Sequence, residues 1–207
     1  VAVLCWLLAL ASKEDAALFP AYTLLLEVTV LRFRATSPMI EKGLRLSYGV
    51  GLVAGLLVFL LWVVPHYWSW DAYGARDFNT IERLLTQGRV LVMYLGQIVW
   101  PVPSRMPFFY DNFEISRNLL QPATTLLALV LVAVLLASAW WLRKRRPLYA
   151  FGVLLFFAGH FMTSNVIGLE LAFEHRNHLP LVGAVLAMTD LLMALARRVP
   201  LQRPILI

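Results

Sequence analysis

ATTLLALVLVAVLLASAWWLRKRR, Ala123 to Arg146, decides the fold class. Its first twenty residues, Ala123 to Leu142, carry no charge and end in Trp140-Trp141-Leu142; four cations follow in a row. A helix of about 20 apolar residues crosses the hydrocarbon core of a bilayer, which is about 30 Å thick. Tryptophan settles at the headgroup level and excess Lys and Arg at the cytoplasmic end, the order found here. A helix is required because backbone groups in lipid must find partners within their own segment, and the short alternating strands of a membrane barrel are missing.

Outward from that stretch the same signal recurs. Apolar runs predict further spans at approximately 1–11, 16–31, 48–65, 147–166 and 181–197, besides 123–142. Gly49, Gly51 and Gly55 in the third run are small enough to admit a neighbouring helix. "HYWSW" at its end reads as an aromatic belt. Composition agrees: 60% of the 207 residues are hydrophobic and 14% charged, and the mean hydropathy of +0.73 lies far from that of a soluble domain. The net charge of +6 is not a nucleic-acid signal, because the cations cluster beside apolar runs rather than forming a patch with interleaved aromatics. A single cysteine, Cys5, excludes an internal disulfide and a cysteine-based zinc site. "VAVLCWLLALA" has no Met, basic leader or cleavage site and reads as the tail of a span already under way, so further helices are expected before Val1.

The segment at 81–99 differs. Ile81, Leu84, Leu85, Gly88, Leu91, Val92, Leu95 and Ile98 recur at helical spacing, while Glu82, Arg83, Gln87, Arg89 and Gln97 line another face, which predicts an amphipathic helix at the membrane interface. The expected fold is therefore all-α, a polytopic bundle of six spans with one interfacial helix. Basic clusters at Arg32–Arg45, Arg143–Arg146 and Arg197–Arg203 mark the inside. "SKED" (residues 12–15), the region His66–Gln121 and "LELAFEHRNHLP" (Leu169–Pro180) then share the outside. Nearly all mixed acid, base and imidazole chemistry thus falls on one side, and a site is expected there.

Three stretches carry that chemistry. In "SKED", Ser12 suits an N-cap with acids in the first turn, or Lys13 places a point charge on a phosphate at the mouth of the membrane. In "PSRMPFFYDNFEISR", Phe108, Phe109 and Phe113 anchor an interfacial loop, or Asp111 orients an acceptor hydroxyl beside Arg105, Tyr110, Glu114, Ser116 and Arg117. In "LELAFEHRNHLP", helical spacing would put Glu170, Glu174 and His178 on one stripe. Three readings compete there: a divalent metal on Glu174, His175 and His178, a loop braced by Glu–Arg pairs, or an anion site. In the last, Arg176, with His175 or His178, grips a phosphate while the glutamates hold the guanidinium. His66 and His160 read as structural.

An apolar run ending in "SKE", then "R.L....V..Y......P.PSR", "YD.F..S..LL.P.T.L" and "EHRNHLP" before a last hydrophobic run, resembles the bacterial relatives of the transmembrane-and-TPR protein O-mannosyltransferases, within the GT-C superfamily of glycosyltransferases. The resemblance runs from about Leu7 to Leu192, and "E.RN.LP" is its most specific element. It implies a GT-C-like membrane fold and transfer of a sugar from a polyprenyl-phosphate donor to a protein or glycan acceptor. The site would face the periplasm from a bacterial inner membrane. Lys13 and Glu14 match the family's "SKE", Asp111 and Ser116 its "YD…S", and Glu174, Arg176 and Asn177 its "EHRN.LP", with the arginine on the donor phosphate. Asp15 and Leu181 depart from the pattern. The family's catalytic aspartate is expected before Val1, and TPR repeats are absent from the sequence. A non-enzymatic membrane subunit, such as a transporter half or an assembly scaffold, is the competing expectation; it would use ionisable groups near mid-span, of which Glu27, His160 and Asp190 are the candidates.

Overall fold

A computed structural model describes residues 2–198 apart from 75, 108, 109, 111 and 112; for Ala2, Glu14, Arg105, Glu174 and His175 it describes the backbone alone. Among the described residues every regular element is a helix, with no strand. Helix α1 is Ala2–Ser12 and α2 is Phe19–Leu26, the latter flanked by a 3-10 turn at Glu14–Leu18 and a π turn at Glu27–Leu31. Arg32 closes that stretch at φ 61°, a left-handed residue of the kind that ends helices, and Glu27 Oε2 accepts from the Phe33 amide at 3.0 Å.

Helix α3, Pro38–Val58, continues through a π turn at Phe59–Val63 into α4, Val64–Tyr67. It starts ten residues before the apolar run does, because Ser37 caps it, Pro38 sits at its first position, and Glu41 pairs with Arg45 at 2.7 Å. The basic cluster expected to lie in a loop is thus partly helical. Apart from neighbouring residues of α3 itself, no atom stands within 4 Å of a methyl placed on Gly49, Gly51 or Gly55, so the close approach those glycines would permit is not made among the described residues.

Helices α5 (Thr80–Val99), α6 (Thr124–Leu142), α7 (Pro147–Gly159) and α8 (His178–Ala196) form the packed part. The closest pair is α7 with α8, where a Cβ on Gly183 would stand 2.7 Å from the Phe156 amide nitrogen and a Cβ on Gly152 would meet backbone of Gly183 and Ala187. Tyr149 reaches Ser138 across to α6 at 2.7 Å. Arg146 grips Asp190 through Nε at 2.9 Å, which satisfies an acid otherwise stranded in an apolar helix. Among the described residues three helices, Pro38–Tyr67, Thr124–Leu142 and His178–Ala196, are long and apolar enough to cross a membrane.

Two further expected elements differ, and the run 16–31 is divided among a 3-10 turn, α2 and a π turn. The apolar run from 147 stops being helical at Gly159, short of Val166, because Thr163, Ser164 and Asn165 prefer capping and turn bonds and the Thr163 and Asn165 carbonyls are taken by Arg83. Helix α5 is amphipathic, with a complete capping box between Asn79 and Glu82, yet its polar stripe faces inward. Arg83, Thr86, Gln87 and Gln97 are buried together with Val90, Leu91 and Tyr94, whereas Ile81, Leu84 and Val99 are exposed. The pattern had suggested a polar face toward water; tertiary partners turned it toward the protein.

Candidate functional site

The inward stripe of α5 holds the segment between α7 and α8. Arg83, fully buried, donates from Nε to the Asn165 carbonyl at 2.9 Å, from Nη2 to the Thr163 carbonyl at 2.8 Å, and from Nη1 to the Leu169 carbonyl. One turn on, Gln87 donates to the Leu171 carbonyl at 2.9 Å and accepts from Ser164 at 3.0 Å. Tyr94 bonds both the amide and the carbonyl of Phe173. From the loop before α5, the Tyr73 hydroxyl donates to the Val166 carbonyl at 2.8 Å. A loop without its own regular hydrogen bonds must satisfy its carbonyls somewhere, and here a row of polar side chains does so. Hydrogen bonds from a charged donor contribute about 1.5–3 kcal/mol each, so Arg83 is the main clamp.

That clamp sets up a group of cations. Arg76 donates to the same Leu169 carbonyl and stands 3.5 Å from Glu170 Oε1, while Arg176 meets Glu170 Oε2 at 2.6 Å and its carbonyl at 2.7 Å. Arg176 is supplied by the 3-10 turn Glu174–Asn177 that runs into α8, and Phe173 lies under its guanidinium, 5.9 Å from centroid to Cζ. Two guanidinium groups, Arg76 and Arg176, therefore converge on the Glu170 carboxylate, with Arg83 sharing the Leu169 carbonyl with Arg76. Burial lowers the Arg83 guanidinium to about 10; Tyr73 opposes the fall, Arg76 and Arg176 add to it, and Glu170 opposes it. It stays protonated at neutral pH. Glu170 is held below the usual carboxylate range by its own backbone N–H and, against partial burial, by Arg176 and Arg76.

A buried imidazole packs against the same helix, α5. His160, 1% exposed, stacks on Tyr94 with centroids 4.9 Å apart and meets Phe156 edge-on. Asn177 is its polar neighbour. Both imidazole nitrogens, Asn177 Oδ1 and Asn165 Nδ2 are buried without a hydrogen bond of normal geometry.

The other expected residues fall as follows. Glu170 and Arg176 are brought together. The segment 169–173 is not helical, so Glu170, Glu174 and His178 do not share a helical stripe; His178 begins α8 and is exposed. Lys13 pairs with Asp15 at 2.9 Å, and no described interaction joins it to the arginines. Ser116 is fully buried, its amide donating to Thr86 at 2.9 Å and its hydroxyl accepting from Thr125 at 2.8 Å, so it ties α5 to α6. Asp111, Phe108 and Phe109, and the side chains of Glu14, Arg105, Glu174 and His175, lie outside the described residues. Among the described residues no group of three or more His, Cys, Asp or Glu gathers to hold a metal.

Arg76 and Arg83 were not singled out by sequence. An arginine on an amphipathic helix carries no mark of which loop it will meet; the only hint was that Arg83 shares a helical stripe with Gln87, Tyr94 and Gln97, a face too polar for lipid. Nothing in the sequence pointed to Arg76. No family model, no curated protein and no solved structure matches the chain. The fold and site define its class: an all-helical membrane protein with an arginine-rich loop cluster.

Proposed function

We propose that the chain serves a polytopic membrane glycosyltransferase of the GT-C kind, and that Arg76 and Arg176, backed by Arg83, hold the phosphate of a polyprenyl-phosphate sugar donor on the non-cytoplasmic side of a bacterial inner membrane. The observation that carries this reading is the convergence of the two arginines on the Glu170 carboxylate, an anion in the place a phosphate would take. Planar guanidinium forks suit phosphate oxygens better than an ammonium does. In the transfer, the bond from the sugar anomeric carbon to the phosphate oxygen breaks, one to the acceptor hydroxyl oxygen forms, and the hydroxyl proton passes to a general base, the role expected of the family's aspartate. Negative charge builds on the departing lipid phosphate, and fixed cations at a poorly hydrated interface lower the energy of that state.

The competing subunit reading has less support. Its mid-span ionisable groups are engaged locally: Glu27 caps the end of its own helix, Asp190 pairs with Arg146, and His160 is stacked between aromatic rings. The test is sugar transfer from a polyprenyl-phosphate donor by the full-length protein in membranes. Arg176→Ala and Arg76→Ala are each expected to reduce transfer by about 10²–10³, the range for losing one donor to a developing charge. Transfer at the unsubstituted rate in both variants overturns the proposal.

A further inference from the structure

A second feature lies on another face of α5. Helices α5 and α6 touch closely where Gly88 meets Leu129, a Cβ on the glycine standing 3.3 Å from Leu129 Cγ. Beside that contact a groove of about 420 Å³ opens between Arg89, Val92 and Met93 of α5 and Leu127, Ala128 and Leu131 of α6. That volume is within the range of about 300–1,000 Å³ that accommodates a small molecule. Its walls are apolar apart from Thr124 of α6 and, at one end, Arg89, which lies over Phe113 with Cζ 5.2 Å from the ring centroid.

What fills such a groove follows from where it is. Helix α6 has the length and hydropathy of a membrane span, and Leu127 and Leu131 on the groove wall are 69% and 42% exposed. An apolar cleft opening into hydrocarbon takes up hydrocarbon chains. The cation is specific to the mouth: Arg89 is 15% exposed, bonds the Glu114 carbonyl at 2.7 Å, and meets the Glu114 carboxylate only at 3.3 Å. Glu114 itself is 68% exposed, so solvent screens that pair, and the five donors of a guanidinium leave capacity for another anion.

We propose that this groove holds one acyl chain of an anionic glycerophospholipid, with the headgroup phosphate on Arg89. It is separate from the arginine cluster, because six residues turn about 240° around a helix and Arg83 points to the segment 163–169 instead. The experiment is native mass spectrometry of the full chain in detergent, titrated with phosphatidylglycerol or phosphatidylcholine of identical acyl chains. Phosphatidylglycerol adducts are expected in about fivefold excess, the contribution of one arginine near an anionic headgroup. Arg89→Gln is expected to abolish the preference and Arg89→Lys to retain part of it. Leu127→Trp, on the exposed wall, should reduce adducts of both lipids. Glu114→Gln, an exposed position that leaves folding intact should Arg89→Gln fail to fold, should raise the preference. Equal binding of the two lipids, an unchanged preference in Arg89→Gln or Glu114→Gln, or unchanged adducts in Leu127→Trp each overturns the proposal. Sugar transfer is not read in this experiment, so its outcome is independent of the proposed activity.

Discussion

Arg83 is the residue on which the site depends. A buried cation is tolerated only when its hydrogen bonds are met, and here three carbonyls of one loop meet them. Arg83→Met is expected to destabilise the protein by about 3 kcal/mol or more, since it strands the loop carbonyls; a thermal melt in detergent that moves by less than a degree contradicts this. Arg83→Lys should recover little, because one ammonium cannot reproduce the planar fork. Glu170 makes the opposite kind of contribution. Its carboxyl is depressed in the folded protein, so its stabilisation is present above the unfolded-state value of about 4.3 and is lost as pH falls through the folded value. Stability of Glu170→Gln measured against pH should therefore lie below that of the unsubstituted protein near neutrality and merge with it in acid. A constant difference down to pH 2 would rule out the ion pair as its cause.

At the scale of elements, the α7–α8 contact positions both ends of the loop that carries Arg176. Gly152 and Gly183 meet backbone to backbone, and an added methyl there has no flexible side chain to push aside. Gly152→Ala is expected to cost about 1–3 kcal/mol, seen as a lower melting temperature, with loss of any activity following from displacement of α8. If the variant melts like the unsubstituted protein, the helices are not as close as described. Helix α5 illustrates how far pattern reading goes. Its existence and its amphipathic character were legible from spacing; its start at the Asn79–Glu82 capping box and its orientation came from the structure. Periodicity reports that two faces differ, but not which one meets the rest of the chain, and a loop rich in unsatisfied carbonyls competes successfully for a polar face.

For the whole molecule, the three long apolar helices make a membrane protein, and the charge distribution makes a claim about its sidedness. With Cys5 replaced by Ser, single cysteines at Gln121 and Lys144, both exposed and at opposite ends of α6, should react with a membrane-impermeant thiol reagent from opposite sides, Gln121 from outside. Labelling of both from the same side contradicts a crossing by α6. Pro38–Tyr67, whose most apolar 18 residues bury none of their number within the chain, has its side chains turned outward, as a helix facing lipid or another helix would.

The helical class, the long apolar helices and the pairing of Arg176 with Glu170 were determined by the sequence, because each rests on local quantities: run length against bilayer thickness, cap residues, and charges close together in the chain. The end of α7 at Gly159, the burial of Arg83, the pairing of Arg146 with Asp190 and the arrival of Arg76 at Glu170 were decided only by tertiary structure. Each joins groups tens of residues apart. Their energies depend on which carbonyls and carboxylates are left unsatisfied once the helices have packed, and a linear pattern does not contain that information.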